Sequence, residues 1–230
     1  MTTYAWPQTA GWIPERFEMR LIPNAFTFAG PHSLRTEAIG SAGARWRILM
    51  DLPPDTSTAL GAQREAFFDR LKGLVNLIAI GHQKRKVPQG TLRDGTAAIA
   101  WKNSSNAALA WINSSGQPLS WAGGAPAVQS AVAAGATIAT LQTVPYATLL
   151  AGDHIGMAGQ LVRVMANAVA DAAGLLPFEF APAVRAAIPA YTPAVWNYPT
   201  ANFRLAADGV PVAHVPGALD GSSLELIEAT

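Results

Sequence analysis

The sequence predicts a mainly-β protein with one packed helix, an α+β fold in which an antiparallel β-sandwich with the helix is followed by a second all-β domain. Apolar and polar residues alternate in two early segments, a single amphipathic helical pattern follows them, and turn-forming residues then recur every 8–12 residues or so. We place the domains at residues 1–92 and 93–230, with the helix at about 57–73.

Two segments of the first domain, residues 15–21 and 45–52, have the period of two that is typical of a half-buried strand. One set of alternate residues is apolar and is predicted to face the core: Phe17, Met19, Leu21, Trp46, Ile48, Met50 and Leu52. The other set is predicted to face outward: Arg16, Glu18, Arg20, Arg45, Arg47 and Asp51. The first domain therefore presents a charged sheet face.

The helix between these strands and the next one has a clear start signal. Residues 55–58 are Asp-Thr-Ser-Thr, whose side chains can accept hydrogen bonds from free backbone N–H groups. The apolar stripe is predicted to contain Leu60, Phe67, Phe68, Leu71 and Leu74. The face in water is predicted to contain Arg64, Glu65, Asp69 and Arg70. Gly73 is expected to close the last turn in a left-handed conformation, and residues 74–80 to form a buried strand.

Residues 151–164, AGDHIGMAGQLVRV, combine an Asp-His pair with two glycines, which raises the possibility of a catalytic or phosphate-binding site. A phosphate loop needs a richer glycine pattern that opens a helix, whereas here a strand-forming run follows Gly159. Asp153 and His154 are sequence neighbours, so in a strand their side chains point to opposite faces. The segment is predicted to be a β-hairpin and not a site.

Tryptophans recur ten residues apart at Trp101, Trp111 and Trp121, and Asn-Ser-Ser follows the first two. An even spacing places them on one face if tight turns connect the strands. They would then form either an aromatic platform for a sugar or the core of a β-meander, and we favour the core.

Only 13% of the residues are charged, against roughly 25% in an average soluble domain, and half are hydrophobic. The sequence has no apolar run of about 18 residues that would predict insertion into a membrane. We therefore expect the surface to be covered in an assembly. The net charge of +1 and the single basic run, Lys84, Arg85 and Lys86, favour a solvated loop or a subunit contact over sequence-specific nucleic-acid binding.

Signals of catalysis are weak. The four histidines lack metal-binding spacing, cysteine is absent, and there is no nucleophile elbow. Paired carboxylates could still meet in three dimensions. We predict a protein that is not an enzyme and that needs no cofactor and no metal. The N-terminus lacks the basic and apolar regions of a secretory signal, so we expect synthesis in a cytoplasm.

Several segments in order resemble the distal tail proteins of long-tailed bacteriophages. They are WIPERFEMRLIPNAFTF, RWRILMDLPP with the helix ending FFDRLKGLVN, LLAGDHIGMAGQLVRVMANAVADAAGLLPFEFAPAVR, TANFRLA and SSLELIEA. Together they span most of the chain. The Trp-Asn-Ser-Ser repeat and the basic run depart from the family pattern, which leaves residues 81–125 outside the resemblance.

The resemblance implies a tail-tube-like first domain and a structural role in the virion tail, which is assembled in the host cytoplasm. Subunits of the family close into a ring, often of six, that joins the tail tube protein to the tip hub protein and surrounds the DNA channel. On this basis the candidate subunit-contact or lumen residues are Arg16, Glu18, Arg20, Arg45, Arg47, Lys84, Arg85 and Lys86. The alternatives are a carbohydrate-binding accessory module of the tail tip and a small tail-associated hydrolase.

Overall fold

The structure is a computed structural model that describes residues 1–29, 36–54, 57–93, 114–115, 125–207, 214–215, 218–219 and 221–229. Within these ranges, side chains are described except at 24–29, 36–42, 58, 214–215 and 218–219. The fold is mainly β, with 43% of the chain in strands, several sheets and one α-helix among the described residues. The predicted fold class is confirmed.

The elements follow one another in this order along the chain. The first group is β1 Thr3–Ala5, a 3₁₀ helix Ala10–Trp12, β2 Arg16–Ala29, β3 Thr36–Leu52, α1 Thr58–Leu71 and β4 Leu77–Gly81. The second is β5 Ala127–Val128, β6 Ile138–Gln142, β7 Thr148–Leu149, β8 His154–Met157, β9 Gln160–Val164, β10 Ala168–Val169, β11 Leu175–Ala181 and β12 Ala194–Val195. The last is β13 Thr200–Leu205, β14 His214–Val215, β15 Ala218–Leu219 and β16 Ser222–Glu228.

The chain divides into two compact units. The first comprises Met1–Lys86, Gly159–Leu161 and Tyr198–Thr230, and the second comprises Val87–Ala158 and Val162–Asn197. The predicted second domain, residues 93–230, would contain β13 and β16, but both strands pair into the sheet of the first unit. Pairing between strands that are distant in sequence leaves no local pattern that could predict it.

The sheet of the first unit has the strand order β1-β4-β13-β16-β3-β2, and its pairs are antiparallel except β1 with β4. β2 and β3 form a long hairpin whose outer part, from Asn24↔Ser41 to Ala29↔Thr36, continues beyond the last pair of β3 with β16, Arg47↔Ile227. The hairpin is thus much longer than the other strands it lies beside.

The core of the first unit confirms the predicted alternation in β3. Trp46, Ile48, Met50 and Leu52 are all buried, and Phe17, Met19 and Leu21 of β2 are half-buried against them. The indole of Trp46 also donates to the Leu161 carbonyl at 2.8 Å. Burial of each large apolar side chain stabilises the fold by about 1.5–3 kcal/mol.

The helix α1 packs its aromatic residues onto two tryptophans that sequence analysis did not single out. The rings of Trp6 and Trp12 lie 5.3 Å apart, and the ring of Phe67 lies 5.0 Å from that of Trp12. Phe68 and Leu71 are buried in the same cluster, as predicted.

The predicted solvent exposure of Arg64 is wrong. Its side chain is fully buried and donates to the carbonyls of Pro53 at 2.8 Å and Gly11 at 2.6 Å. Position 64 is four residues from Leu60 and three from Phe67, so helical periodicity places it on the buried stripe. The guanidinium is accommodated there because backbone carbonyls accept hydrogen bonds from two of its nitrogens.

The helix also ends earlier than predicted. Lys72, with φ 49°, is the left-handed C-cap residue, and Gly73, with φ 62°, follows it in the same conformation. Leu74 and Val75 are exposed, so β4 begins at Leu77 and not at residue 74. Asn76 fixes this turn, because its amide donates to the Arg70 carbonyl at 2.8 Å.

The second unit is a closed six-stranded barrel. Its sheet has the order β12-β8-β9-β11-β6-β5. The two ends of the sheet meet, since the N–H of Val128 in β5 donates to the Thr192 carbonyl at 2.9 Å and the N–H of Ala194 in β12 donates to the Pro126 carbonyl at 2.7 Å. The apolar residues of the inward positions form one separate core.

The segment 151–164 is the predicted hairpin. β8 and β9 flank a two-residue turn in which Ala158 has φ 48° and Gly159 has φ 78°, which is the backbone pattern of a type I′ turn. Alternation in β9 places Val162 and Val164 in the core of the second unit and Leu161 in that of the first.

Candidate functional site: the open face of the first sheet

The face of the first sheet that lies opposite the buried Trp46–Leu52 residues carries most of the residues proposed from the sequence. We define the open face as the outward positions of four strands: Arg16, Glu18, Arg20 and Ile22 of β2, Arg45, Arg47, Leu49 and Asp51 of β3, Ser223, Glu225 and Ile227 of β16, and Arg204 of β13. All five candidates from β2 and β3 therefore share one surface, as their alternation predicts.

The strand register arranges these residues in rows that run across the strands. The first row is Arg16, Asp51 and Ser223, and the second is Glu18, Leu49 and Glu225. The third row is Arg20, Arg47, Ile227 and Arg204. The fourth row is Ile22 and Arg45. We call Arg20, Arg47 and Arg204 the arginine row. The alternation along each strand was readable from the sequence, but the register that creates the rows was not.

Ion pairs connect the second row to its neighbours. Nε of Arg47 lies 2.7 Å from Oε1 of Glu225, whereas Arg20 and Arg16 lie 3.7 and 4.0 Å from the carboxylate of Glu18. The hydrogen bond from the guanidinium of Arg47 to Glu225 raises the pKa of Arg47 above its usual range. Among the described side chains, Arg45 and Arg204 form no ion pair.

The arginine row is unfavourable for the isolated sheet. Arg20 and Arg47 are direct cross-strand partners, and like charges in that position destabilise an antiparallel pair. Strand stability alone would favour an acidic residue at one of the two positions. The stability of the isolated sheet therefore does not explain the row.

Two shallow grooves lie on the open face. One, of about 280 Å³, is lined mainly by polar residues, including Arg16, Asp51, Ser223 and Glu225. The other, of about 330 Å³, places Arg45 beside the apolar residues Ile22, Pro23 and Ile227. The first groove therefore lies at Asp51 of β3, and the second lies at Arg45 of the same strand.

The three candidates of the basic run lie elsewhere, in the loop after β4, and β13 and β16 separate that strand from β3 in the sheet. Lys84 and Arg85 are exposed, and their backbone N–H groups donate to Nδ1 of His82 at 3.2 and 3.0 Å. Burial, and after it the charge of Arg85, lowers the pKa of His82 to about 4. The loop is thus held by a neutral histidine.

Lys86 belongs to a separate polar cluster that sequence analysis missed. Its ammonium donates to Oε1 of Gln8 at 2.7 Å and lies 5.5 Å from the centre of the Tyr198 ring. The phenol oxygen of Tyr198 accepts from Nε2 of Gln8 at 2.7 Å and Nε2 of Gln83 at 2.6 Å. Burial raises the pKa of Tyr198. Tyr198 has φ 49°, which no sequence signal for a tyrosine predicts.

Asp153, from the segment that first suggested a site, has a structural role in the second unit. Its buried carboxylate accepts from the backbone N–H groups of Gln89 at 2.7 Å, Gly90 at 3.2 Å and Leu150 at 2.8 Å. These hydrogen bonds stabilise the charged carboxylate and connect the loop that contains Gln89 and Gly90 to the turn that contains Leu150. The prediction that the segment is a turn with two strands is confirmed, and the prediction that it holds no site stays a prediction.

The tryptophans Trp101, Trp111 and Trp121 lie outside the described residues, so the sugar-platform and core interpretations both stay predictions. In the described part of the chain, no group of three or more histidines and carboxylates is placed to hold a metal ion. No helix within those same ranges has the length and apolar character needed to span a membrane.

No protein-family model matches the chain, and no curated protein sequence matches it.

Proposed function

We propose that this chain is a structural protein of the tail tip of a long-tailed bacteriophage, a distal tail protein whose subunits close into a ring of six. In this proposal the ring joins the tail tube protein to the tip hub protein and surrounds the channel through which DNA passes. The protein acts through the contacts it makes and not through catalysis.

The arginine row is the observation that carries the proposal. Arg20 and Arg47 are direct cross-strand partners, which weakens the free sheet, and Arg204 adds a third positive charge to the row. The row stabilises a complex when an acidic surface covers it. In a chain with 13% charged residues, such a concentration on one sheet face favours an assembly surface. In the assembled tail tip, the open face lies at a contact with another copy of the chain or lines the lumen.

The fold of the first unit is compatible with the resemblance seen in the sequence. The family implies a β-rich first domain with one flanking helix, and here α1 packs against the core side of the sheet. The low content of charged residues supports the same conclusion, because a ring subunit covers large apolar areas on its flanks.

Native mass spectrometry and negative-stain images of the purified full chain test the proposal. We expect a closed ring of six and incorporation of the protein into tails. A variant with Arg20→Glu and Arg45→Glu is expected to fold but to enter tails poorly, whereas Arg70→Glu on the exposed side of α1 is the matched control. Arg47 is left unchanged because it is bonded to Glu225.

Three outcomes would contradict the proposal. The first is a chain that stays monomeric and is absent from purified particles. The second is a chain whose tryptophan fluorescence responds to host polysaccharide without any ring, which would favour the carbohydrate-binding alternative. The third is cleavage of host envelope material by the purified chain, which would favour the hydrolase alternative.

A further inference from the structure

The charge of the open face changes from acidic to basic along the direction of its strands. Its first two rows contain Asp51, Glu18 and Glu225 against one arginine, Arg16, whereas its last two rows contain four arginines and no carboxylate among the described side chains. The acidic end and the basic end are separated by about 20 Å, the length of six residues of a strand from position 51 to position 45.

A polar face of this kind is complementary to itself. Rotation by 180° about an axis that runs parallel to the sheet, above the open face, and crosses the strands brings a second copy face to face with the first and reverses its strand direction. The acidic end of each copy then lies over the basic end of the other. Two-fold contacts are the commonest way in which identical chains associate.

The register fixes which residues meet. If the axis passes over Ile48, position 51 of β3 in one copy lies over position 45 in the other, and position 18 of β2 lies over position 20. Asp51 would then meet Arg45 and Glu18 would meet Arg20, each twice. Arg45 forms no intrachain ion pair among the described side chains, and the carboxylate of Asp51 accepts the Ser223 hydroxyl at 2.5 Å.

We propose that the open face of the first sheet docks against the open face of a second copy of this chain in a two-fold arrangement centred on Ile48. The contact differs from the ring contacts of the proposed function, because a ring is closed by head-to-tail contacts between different surfaces. It does not depend on the virion role, and it assigns the open face to a contact between copies and not to the lumen.

The size of the surface predicts a weak pair. Four strands about 4.8 Å apart and about 20 Å of strand length give roughly 300–400 Å² per copy, below the roughly 800 Å² of a stable complex. The association is therefore expected to be sensitive to salt and to strengthen when several copies are held side by side.

Sedimentation equilibrium of the full chain over a range of protein concentrations, at about 50 mM and about 500 mM salt, tests this arrangement. We expect reversible self-association at low salt that the high salt weakens. Arg45→Asp and Asp51→Arg are each expected to lower the association constant about tenfold or more, since each creates two like-charge contacts.

The decisive measurement is the combination of the two changes. A chain with both Arg45→Asp and Asp51→Arg keeps the two charges opposite in sign across the two-fold axis, so association is expected to return to within about threefold of the original chain. An equimolar mixture of the two single variants is expected to associate for the same reason. Asp69→Arg with Arg70→Asp on the exposed side of α1 makes the same exchange away from the open face and is expected to change nothing.

Two results would overturn the two-fold contact. One is an unchanged chain that stays monomeric at low salt and high concentration, and the other is a double variant that associates as poorly as the single variants while its thermal midpoint is normal. A ring in native mass spectrometry together with either result would retain the proposed function and remove only this inference.

Discussion

The two units of this protein use charged residues in opposite ways. In the second unit the barrel closes on itself, and the buried carboxylate of Asp153 accepts hydrogen bonds from three backbone N–H groups that stabilise it. In the first unit the sheet has one face on the core and one open face, where Arg20 stands directly beside Arg47. The comparison indicates that charge serves folding in the barrel, and on the open sheet we propose that it serves association.

The largest effect is expected from the first core, at Trp46. Trp46→Ala should lower the free energy of unfolding of the first unit by about 3–5 kcal/mol, because it removes a fully buried indole and its bond to the Leu161 carbonyl. Amide hydrogen exchange in β3 measures the loss. Phe180→Ala is the matched change in the barrel, and the two units would not be separate cores if both variants raised exchange equally in both.

Arg64→Met tests whether a charge can also serve folding in the first unit. The substitution leaves the carbonyls of Pro53 and Gly11 without these donors inside the core, so we expect a loss of about 1.5–3 kcal/mol in chemical denaturation. Arg70→Met, on the exposed side of the same helix, is the control and should cost less than about 0.5 kcal/mol. A neutral result for Arg64→Met would show that the buried guanidinium is not needed.

Asp153→Asn addresses the charge in the barrel. The amide retains one acceptor oxygen but turns an N–H₂ group toward backbone donors, so we expect a loss of about 1–3 kcal/mol in the stability of the second unit. Glu18→Gln on the open face is the contrasting change and should stay within about 0.5 kcal/mol. Equal losses for both variants would contradict the difference between the units.

The loop after β4 should respond to acid. His82 has a folded pKa of about 4 against about 6.5 in the unfolded chain, so the unfolded state binds the extra proton between these values. Stability contributed by neutral His82 is therefore complete above pH 6.5 and is lost as the pH falls toward 4. After allowance for the partly exposed ring we expect a loss of about 1–2 kcal/mol. Thermal midpoints from pH 7 to pH 4 measure it, and His82→Asn should flatten the dependence.

The smallest effect is expected on the open face. Arg20→Ala removes a like-charge neighbour of Arg47 and one weak ion pair to Glu18, so stability should change by less than about 0.5 kcal/mol, in either direction. Chemical denaturation measures it. A loss above about 2 kcal/mol would mean that the arginine row holds the fold together, and the assembly role would then lose its main support.

The sequence predicted those features that depend on local periodicity. The alternation of Trp46, Ile48 and Met50 predicted both the buried face and the open one, and the glycine at position 159 predicted the hairpin turn. Arg64 was misplaced because its charge was given more weight than its position on the helical stripe. The signal that locates it on the buried stripe is its spacing of four residues from Leu60 and three from Phe67.

Other features could not be predicted because they arise from pairing at long range. The arginine row needs Arg204 beside Ile227 and Ile227 beside Arg47, and no local pattern relates these positions. The same holds for Tyr198, whose positive φ and hydrogen bonds to Gln8 and Gln83 depend on parts of the chain far apart. The strand register determines the arginine row, and contacts between distant segments determine the conformation of Tyr198.

The first unit is formed by segments from both ends of the sequence, and this has a consequence for synthesis on the ribosome. β3 can pair with β16 only after residues 222–228 have been synthesised. β4 can pair with β13 only after residues 200–205 have been synthesised. The barrel, whose strands all lie between residues 127 and 195, can complete its pairing before then. The part of the chain that is made first is therefore the part that matures last, and the contact that we propose for its open face can form only after β16 has been translated.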